Sequence, residues 1–378
     1  MSSNRKRKFL LVAGARPNFV KIAPIMRELR KHPGVEPILV HTGQHYDPAM
    51  SKVFFDQLRI PAPNVNLEVG SGSIAFQVAE IIRRVDPLLV EHQPDLVVVV
   101  GDVNSTVACA LAAAHRQVPV AHVEAGLRSF DRSMPEEVNR VMTDTVAEYL
   151  FASEPSAVKN LEHEGARRER IHFVGNVMID TLRDFLPQAR EQELLQRLGL
   201  DRNGTASRPY ALATLHRASN VDETDKLRAL LATLGEIAER VPLIFPVHPR
   251  TQKHISAMGI AGNFGALEKI ADRGMYFCDP LGYLEFLGLM AGATMVLTDS
   301  GGIQEETTAL QVPCLTLREN TERPVTIDIG TNVLVGLAPE RILTEADRVL
   351  SGKAKRGQVP ELWDGKAAQR IVKILTPD

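Results

Sequence analysis

The chain has 378 residues, enough for two ordinary domains, and its 46 acidic and 44 basic side chains give a formal net charge of −2. The charges are balanced, and no basic tract here suggests a nucleic-acid partner. Three widely separated cysteines, Cys109, Cys278 and Cys314, indicate reduced thiols in a cytoplasm and argue against a disulfide framework or a zinc ribbon.

The first predicted element lies in "MSSNRKRKFLLVAGA" at the start of the chain. A basic lead before an apolar stretch is similar to a secretory leader. The stretch is short, however, and runs into Arg16 and Pro17, so a first β-strand fits better. Further along, no apolar run approaches the ~18–20 residues that a bilayer-spanning helix needs, and no membrane segment is predicted.

Short apolar runs alternate with amphipathic helical stretches along the rest of the chain. The strands predicted in the first half are "FLLVA", "PILVH", "DLVVVV", "PVAHV", "YLFAS" and "IHFVG", and those in the second half are "YALAT", "LIFPV", "MYFC", "TMVLT", "PCLTL" and "NVLVG". Between them lie predicted helices such as "IAPIMRELRKH", "STVACALAAAHRQ" and "DKLRALLATLGEIAER".

Many of these strands are apolar throughout, as strands covered by helices on both faces must be. The sequence therefore predicts an α/β protein with two doubly wound, Rossmann-like domains that face each other across a cleft. Residues 1–175 form the first predicted domain, and residues 176–359 form the second. A last helix, within residues 360–378, is expected to pack back on the first domain.

Polar residues follow most of the predicted strands, where ligands of open parallel sheets bind. Asp102 follows "DLVVVV", Glu124 follows "PVAHV" and His216 follows "YALAT". Asp102 could instead cap a helix, and His216 could be a hydrogen-bonded core histidine. An unpaired Glu124 beside a buried strand would be costly, which favours a function. Arg16 and Lys21, after the first strand, could be solvated side chains or ligand-binding cations.

Glu136 has a strong structural alternative. "SMPE" places Ser133 three residues before it, which is the spacing of a capping box, with Pro135 near the helix start. Arg140 follows four residues later, at the spacing of a surface ion pair. Spacing alone therefore favours a structural role for Glu136. No pair of histidines has a metal-ligand spacing, so no metal site is predicted.

"LTDSGGIQEETT", residues 297–308, joins two glycines to acidic side chains at a predicted helix start. The free N–H groups at Gly301 and Gly302 suit a phosphate. Glu305 or Glu306, about one turn further on, could accept hydrogen bonds from a ribose diol, so the stretch predicts a nucleotide site. The structural alternative is a helix whose first turn favours acidic residues because of its dipole. "GARPNFVK" is not a GxGxxG pattern, so no dinucleotide cofactor is indicated.

Seven motifs, in order, resemble those of the non-hydrolysing UDP-N-acetylglucosamine 2-epimerases. They are "GARPNFVKIAP", "GDVNST", "HVEAGLRS", "MPEEVNR", "TLHR", "DSGGIQEE" and "TERPVT". The match extends from about residue 10 to 336, nearly the whole chain. The resemblance implies a glycosyltransferase-B fold with UDP held mainly by the second domain. It also implies a cytoplasmic homodimer that interconverts UDP-N-acetylglucosamine and UDP-N-acetylmannosamine.

The resemblance implies roles at the matching positions. Asp102, Glu124, Glu136 and His216 match the catalytic group, which for Glu136 outweighs the argument from spacing. The implied substrate-binding residues are Ser300, Gly301 and Gly302 at the diphosphate, Glu306 at the ribose, Phe286 near the uracil, and Arg16, Lys21 and Arg323 as cations for the diphosphate.

The route attributed to this family eliminates UDP to give 2-acetamidoglucal and then adds UDP back with a proton on the other face of C2. It needs an acid and a base on opposite faces of C2, and cations for the leaving diphosphate. It needs neither NAD nor a metal, so no cofactor is expected.

Two alternatives remain open. One is a closely related enzyme, either a hydrolysing epimerase or a 2-epimerase for a UDP-diacetamido-uronate. The other is a nucleotide-sugar sensor that binds without turnover, which the retained Asp102, Glu124 and Glu136 disfavour. The sugar's exact identity is not determined by the sequence.

The chain departs from the family pattern at two places. "GARPN" stands where many members have Gly-Thr-Arg-Pro-Glu, and Ala218 in "HRASN" replaces the second arginine of His-Arg-Arg-Glu-Asn. Many bacterial members bind their substrate as an allosteric activator near the "TGQHYD" loop, which here contains Asp47. The activator is therefore expected to bind differently or not at all.

Overall fold

The computed structural model describes residues 5–43, 57–191, 193–202, 206–259 and 264–377. The chain divides into two compact units, each described separately below. Unit 1 comprises Met1–Thr181 and Glu361–Asp378, and unit 2 comprises Leu182–Pro360. The boundary after Thr181 falls within a helix, Val177–Arg190.

Unit 1 contains a seven-stranded sheet in which every neighbouring pair is parallel. Its strands are β1 (Arg7–Ala13), β2 (Val35–His41), β3 (Val65–Asn66), β4 (Leu96–Val100), β5 (Val120–Ala125), β6 (Tyr149–Ala152) and β7 (Ile171–Phe173). They lie in the order β3-β2-β1-β4-β5-β6-β7. The strand order reverses at β1 and β4, the point where doubly wound sheets bind ligands.

Helices pack around this sheet and bury its strands, which explains why the strands are apolar. They are α1 (Arg16–Leu29), α2 (Ile74–His92), α3 (Asn104–His115), α4 (Pro135–Val146), α5 (Pro155–His163) and the first turn of α6 (Val177–Arg190). All five residues of β4 are buried, which is why the strand reads "LVVVV" without a polar alternation. The last helix of the chain also belongs to unit 1.

Unit 2 contains a six-stranded parallel sheet in the order β12-β11-β10-β13-β14-β15. Its strands are β10 (Ala211–Thr214), β11 (Leu243–Pro246), β12 (Met275–Cys278), β13 (Met295–Thr298), β14 (Cys314–Thr316) and β15 (Asn332–Leu334). A separate antiparallel pair joins β8 (Asp201–Arg202) to β9 (Ala206–Ser207).

The remaining helices are α7 (Leu194–Arg197), α8 (Ala218–Val221), α9 (Thr224–Ala238), α10 (Pro249–Ala257), α11 (Tyr283–Gly292), α12 (Gly301–Leu310), α13 (Pro324–Asp328), α14 (Pro339–Leu350) and α15 (Ala367–Leu375). In α9, Leu227, Leu230, Leu234 and Ile237 recur every three or four residues and are buried. This spacing forms one apolar face that packs into the core of unit 2.

The predicted fold class, two doubly wound α/β domains, is confirmed, and every strand predicted from the sequence is present. The strands β3, β8 and β9 were not predicted, because two-residue strands are too short for an apolar pattern to reveal them. Within the part of the chain that the structure describes, no helix has the length and apolarity needed to cross a membrane.

Candidate functional site

Glu124 lies at an irregular position near the end of β5. Its φ is 70°, and the register with β6 shifts between Val123 and Ala125, as in a β-bulge. The buried carboxylate contacts the ammonium group of Lys21. Its other oxygen, Oε1, is buried without a hydrogen-bond partner among the described residues. An unsatisfied buried acceptor is costly, so Oε1 is suited to accept a hydrogen bond from a ligand.

Asp102 follows β4 and is held by α4. The Arg140 guanidinium donates to its Oδ2, and the Asn139 amide donates to its backbone carbonyl at 2.9 Å. The side chain stays 26% exposed, so a ligand can reach it. At the preceding Gly101, with φ of 67°, a Cβ would lie 3.0 Å from Lys21 Nζ. Glycine therefore suits both the backbone conformation and the close approach of the cation.

The capping-box interpretation of Glu136 is wrong. The N-cap residue of α4 is Met134, not Ser133, and its side chain makes no capping hydrogen bond. The Ser133 hydroxyl donates instead to Asp131 at 2.6 Å. Glu136 lies half-buried in the first turn of α4.

The expected surface ion pair between Glu136 and Arg140 is also wrong. Arg140 is buried and pairs instead with Glu137, at 2.7 Å, and with Asp102. The Glu137 carboxylate accepts further hydrogen bonds from the loop before α4, including one from Ser129 N at 2.9 Å. Neither structural role proposed for Glu136 is therefore realised.

In unit 2, His216 follows β10 and is oriented by Asp299, which follows β13. The imidazole Nδ1 lies 2.8 Å from Asp299 Oδ1. Asp299 is fully buried and also accepts hydrogen bonds from the backbone N–H groups of His216 and Arg217 and from the Asn220 amide. Burial would raise the pKa of Asp299, but these hydrogen bonds hold it below its ordinary value. The His216 side chain is 40% exposed, so its Nε2 remains available to a ligand.

Ser300, Gly301 and Gly302 form the start of α12. Ser300 is the capping residue, although its hydroxyl does not cap the helix. A Cβ on Gly301 would lie 2.4 Å from Arg323 Nη1. Glycine thus allows a guanidinium to approach the first turn of the helix. Free N–H groups beside a cation are suited to bind an anion such as a phosphate.

Arg323 belongs to a buried ionic cluster. It pairs with Glu305 at 2.9 Å and with Glu322 at 2.5 Å. Glu322 also contacts Arg318 at 2.8 Å and Arg217 at 3.3 Å. Three guanidinium groups against two carboxylates leave one net positive charge in this cluster. Arg323 therefore acts as part of a network, which the sequence did not predict.

Glu306 lies further along α12 and is buried. It accepts a hydrogen bond from the phenol of Tyr283 at 3.2 Å. Burial raises the pKa of Glu306 to about 8, although the Tyr283 hydrogen bond opposes this rise. Tyr283 begins α11, and Phe286 lies half-buried on the same helix. The carboxylate predicted to bind a ribose and the aromatic residue predicted near the base thus lie on contacting helices.

The remaining predictions fall partly outside the described residues. Arg16 is the first residue of α1, but its side chain is not among the described ones. The "TGQHYD" loop, including Asp47, lies largely outside them as well. Within the described ranges, no group of three or more His, Cys, Asp or Glu side chains is arranged to hold a metal ion.

Sequence reasoning missed the partners Arg140, Asp299 and Tyr283. Asp299 follows a predicted strand and Arg140 lies within the motif "MPEEVNR", but neither position reveals which residue each one contacts. The roles of the predicted site residues themselves stay predictions.

Comparison with known proteins points to one family. The family profile described as UDP-N-acetylglucosamine 2-epimerase matches residues 27–376. The UDP-N-acetylglucosamine 2-epimerase of Methanocaldococcus jannaschii is 41% identical over 371 residues, covering 98% of this chain and 99% of that protein. A UDP-2,3-diacetamido-2,3-dideoxy-D-glucuronate 2-epimerase of Pseudomonas aeruginosa is 38% identical, covering 97% and 99%.

Solved structures agree with this similarity. The crystal structure of the M. jannaschii UDP-GlcNAc 2-epimerase with UDP-GlcNAc and UDP has a TM-score of 0.88 and 40% identity, covering 98% of this chain and all of that one. Two parallel α/β sheets, of seven and six strands, together with this similarity define a protein of the glycosyltransferase-B-like class. Within that class, the chain belongs to the UDP-N-acetylglucosamine 2-epimerase family.

Proposed function

We propose that this chain interconverts UDP-N-acetylglucosamine and UDP-N-acetylmannosamine by reversible epimerisation at C2. The observation that carries the proposal is the carboxylate set of unit 1. Asp102 and Glu124 lie at the ends of β4 and β5, and Glu136 lies in the first turn of α4. The 41% identity to the M. jannaschii epimerase supports the choice of substrate.

In this proposal, unit 2 binds the nucleotide. Ser300, Gly301 and Gly302 hold the diphosphate at the start of α12, assisted by Arg323 and its ionic cluster. Glu306 accepts hydrogen bonds from the ribose diol, and Phe286 lies near the uracil. Arg16, Lys21 and the exposed His216 imidazole contribute positive charge or a proton at the leaving diphosphate.

The chemistry proceeds by elimination and re-addition. Asp102, ion-paired with Arg140 and therefore a carboxylate, takes the proton from C2. The electrons of the C2–H bond form the C1–C2 double bond while the C1–O bond breaks, giving 2-acetamidoglucal and UDP. Glu136, which has gained a proton from solvent, then delivers that proton to the opposite face of C2 as the UDP oxygen returns to C1. Asp102 releases its proton to solvent, which restores both groups for the next cycle. Glu124 binds the sugar through its free Oε1.

Incubation with UDP-N-acetylglucosamine in deuterated water, followed by NMR, tests this scheme. We expect UDP-N-acetylmannosamine that carries deuterium at C2. Free N-acetylmannosamine and UDP as main products would identify a hydrolysing enzyme instead. Turnover only of a UDP-diacetamido-uronate would favour the function of the P. aeruginosa relative. Binding without any reaction would favour a sensor.

Two variants separate binding from chemistry. Asp102→Asn should retain UDP affinity but lose turnover by roughly 10²-fold or more, the usual scale for an acid–base group. Ser300→Ala and Glu306→Gln should mainly weaken UDP binding. Normal turnover by Asp102→Asn would show that Asp102 is only a turn residue.

The cytoplasmic homodimer expected from the resemblance is part of the same proposal. Light scattering tests this state, and a monomeric mass at micromolar concentration would contradict it.

A further inference from the structure

His122 lies in β5 with both ring nitrogens facing acceptors. Nδ1 lies 2.6 Å from Asp144 Oδ1, and Nε2 lies 2.8 Å from the backbone carbonyl oxygen of Gly101. A neutral imidazole has only one N–H, so one lone pair would point at an acceptor. The doubly protonated ring donates to both, and the geometry therefore favours the imidazolium.

The surrounding charges favour the same form. The Asp144 carboxylate also pairs with Arg128 at 2.7 Å, and Arg128 pairs with Glu164 at 2.6 Å. With a charged His122, the network contains two positive groups, His122 and Arg128, and two negative groups, Asp144 and Glu164. A neutral ring would leave two carboxylates, the buried Asp144 and the 36%-exposed Glu164, to share the single Arg128 guanidinium.

This network is connected to the predicted acid–base groups. His122 holds the Gly101 carbonyl oxygen, immediately before Asp102. The Asp144 carboxylate also accepts from Gly126 N at 3.0 Å, so it anchors β5 on both sides of the Glu124 bulge.

One face of α4 completes this arrangement. Arg140 and Asp144 are four residues apart and therefore lie on the same side of the helix. Arg140 contacts the Asp102 carboxylate, while Asp144 contacts His122. Helix α4 thus holds the Asp102 side chain through Arg140. Through Asp144 and His122 it also supports the carbonyl of Gly101, in the turn before Asp102.

We propose that His122 is a positioning residue, held as an imidazolium by Asp144, that sets the placement of Asp102 and Glu124 relative to each other. Its catalytic consequence rests on the proposed epimerase function, whereas its protonation does not. The two parts are therefore tested separately.

The first test is nitrogen NMR of the protein labelled with ¹⁵N-histidine at pH 7.5. We expect both ring nitrogens of His122 to show the shifts and proton couplings of N–H groups. The signals of His122 are those that are lost from the spectrum of His122→Gln. If His122→Gln does not fold, the signals of His122 are identified as those that change in Asp144→Asn. A single protonated nitrogen on His122 would overturn the proposal whether or not the chain is an epimerase.

The second test uses two variants, each of which keeps one of the two hydrogen-bond donors of the His122 imidazole. Gln places an amide donor near the position of Nε2, towards Gly101, whereas Asn places one near Nδ1, towards Asp144. We expect kcat to fall by roughly 10²-fold in His122→Asn, because a misplaced catalytic group costs about that much, and by less in His122→Gln. KM should change little in either variant.

His172→Gln is the matched control, because His172 lies on β7 of the same sheet and stacks on Tyr149. It should retain wild-type kcat. Equal losses in both His122 variants, with melting temperatures lowered in parallel, would show a merely structural role. An inactive wild-type enzyme in this assay would refute the proposed function and leave the NMR result standing.

Discussion

Asp299 shows how one buried carboxylate controls an exposed catalytic candidate. It accepts from His216 Nδ1 and from the backbone around it, so the imidazole has one orientation. Asp299→Asn should lower kcat by roughly 10²-fold, the scale of an acid–base contribution, with UDP affinity retained. Steady-state kinetics and calorimetry measure the two quantities.

Asp222→Asn is the matched control for this prediction. Asp222 also lies in unit 2, but it pairs with Arg250 on the surface, at 2.5 Å and with 40% of its side chain exposed. It should leave kcat unchanged. A loss of UDP affinity in Asp299→Asn, without a loss of kcat, would contradict the orienting role.

The raised pKa of Glu306 leads us to expect that nucleotide binding depends on pH. Burial raises its pKa to about 8, so the free protein carries a neutral carboxyl at pH 7. A ribose diol donates hydrogen bonds best to the ionised form of Glu306. Nucleotide binding must therefore release a proton when the pH is below the pKa of Glu306. UDP affinity should therefore rise from pH 6.5 to about 8 and then level off.

Calorimetry in two buffers of different ionisation enthalpy measures the released proton directly. Glu306→Gln cannot ionise and serves as the control, because any pH dependence that persists in it belongs to UDP or to other groups. Proton uptake, or the same pH dependence in both proteins, would exclude Glu306 as the ribose acceptor.

At the scale of the elements, two helical glycines in unit 2 should respond oppositely to alanine. A Cβ on Gly235, within α9, would have no heavy atom within 4 Å. Gly235→Ala should stabilise the protein by ~0.4–1 kcal/mol through the lower entropy of its unfolded chain. A Cβ on Gly288, within α11, would lie 2.5 Å from the backbone oxygen of Ala189. Gly288→Ala should destabilise it by ~1–3 kcal/mol.

Urea titrations of the two variants measure these free energies, each variant being the control for the other. Destabilisation by Gly235→Ala, or a neutral Gly288→Ala, would contradict the packing described for these helices.

At the scale of the whole molecule, the end of the chain is tied into unit 1. The Asp180 carboxylate, on α6, accepts from the N–H groups of Ala367 and Ala368 at 3.1 and 2.7 Å and so caps α15. Asp180→Ala should destabilise unit 1 by about 1–2 kcal/mol, the upper part of the range for a lost cap. Trp363, the only tryptophan, is buried there and reports the transition by fluorescence.

Asp364→Ala provides the comparison for Asp180→Ala. Asp364 pairs with Arg370 near the same helix but is 42% exposed, and exposed ion pairs contribute only about 0–1 kcal/mol. An equal shift of the urea midpoint in both variants would mean that the cap contributes nothing specific.

Regulation is the second prediction for the whole protein. By the resemblance described above, Ala218 stands where the family pattern has an arginine. One lost charge-assisted contact would cost roughly 1.5–3 kcal/mol, or about 10- to 150-fold in affinity. The nearby arginines are engaged, Arg217 with Glu322 and Arg250 with Asp222. The reverse reaction from pure UDP-N-acetylmannosamine should therefore start without a lag. A lag removed by trace UDP-N-acetylglucosamine would show that an activator site persists.

The sequence by itself determined the architecture of this protein. Strands buried on both faces must be apolar at every position, so runs such as "DLVVVV" identified each longer strand and the doubly wound class. Ordered motifs identified the family. Both signals are local in the chain, which is why one sequence was sufficient to detect them.

Only the tertiary structure decided which side chains meet. Local spacing paired Glu136 with Ser133 and Arg140, and both pairings were wrong. Arg140 instead reaches Asp102, 38 residues away, and Asp299 reaches the backbone of His216, 83 residues away. The order of strands in a parallel sheet brings such distant residues together at the strand ends. Periodicity along the chain shows which face of an element is buried, but it carries no information about that order.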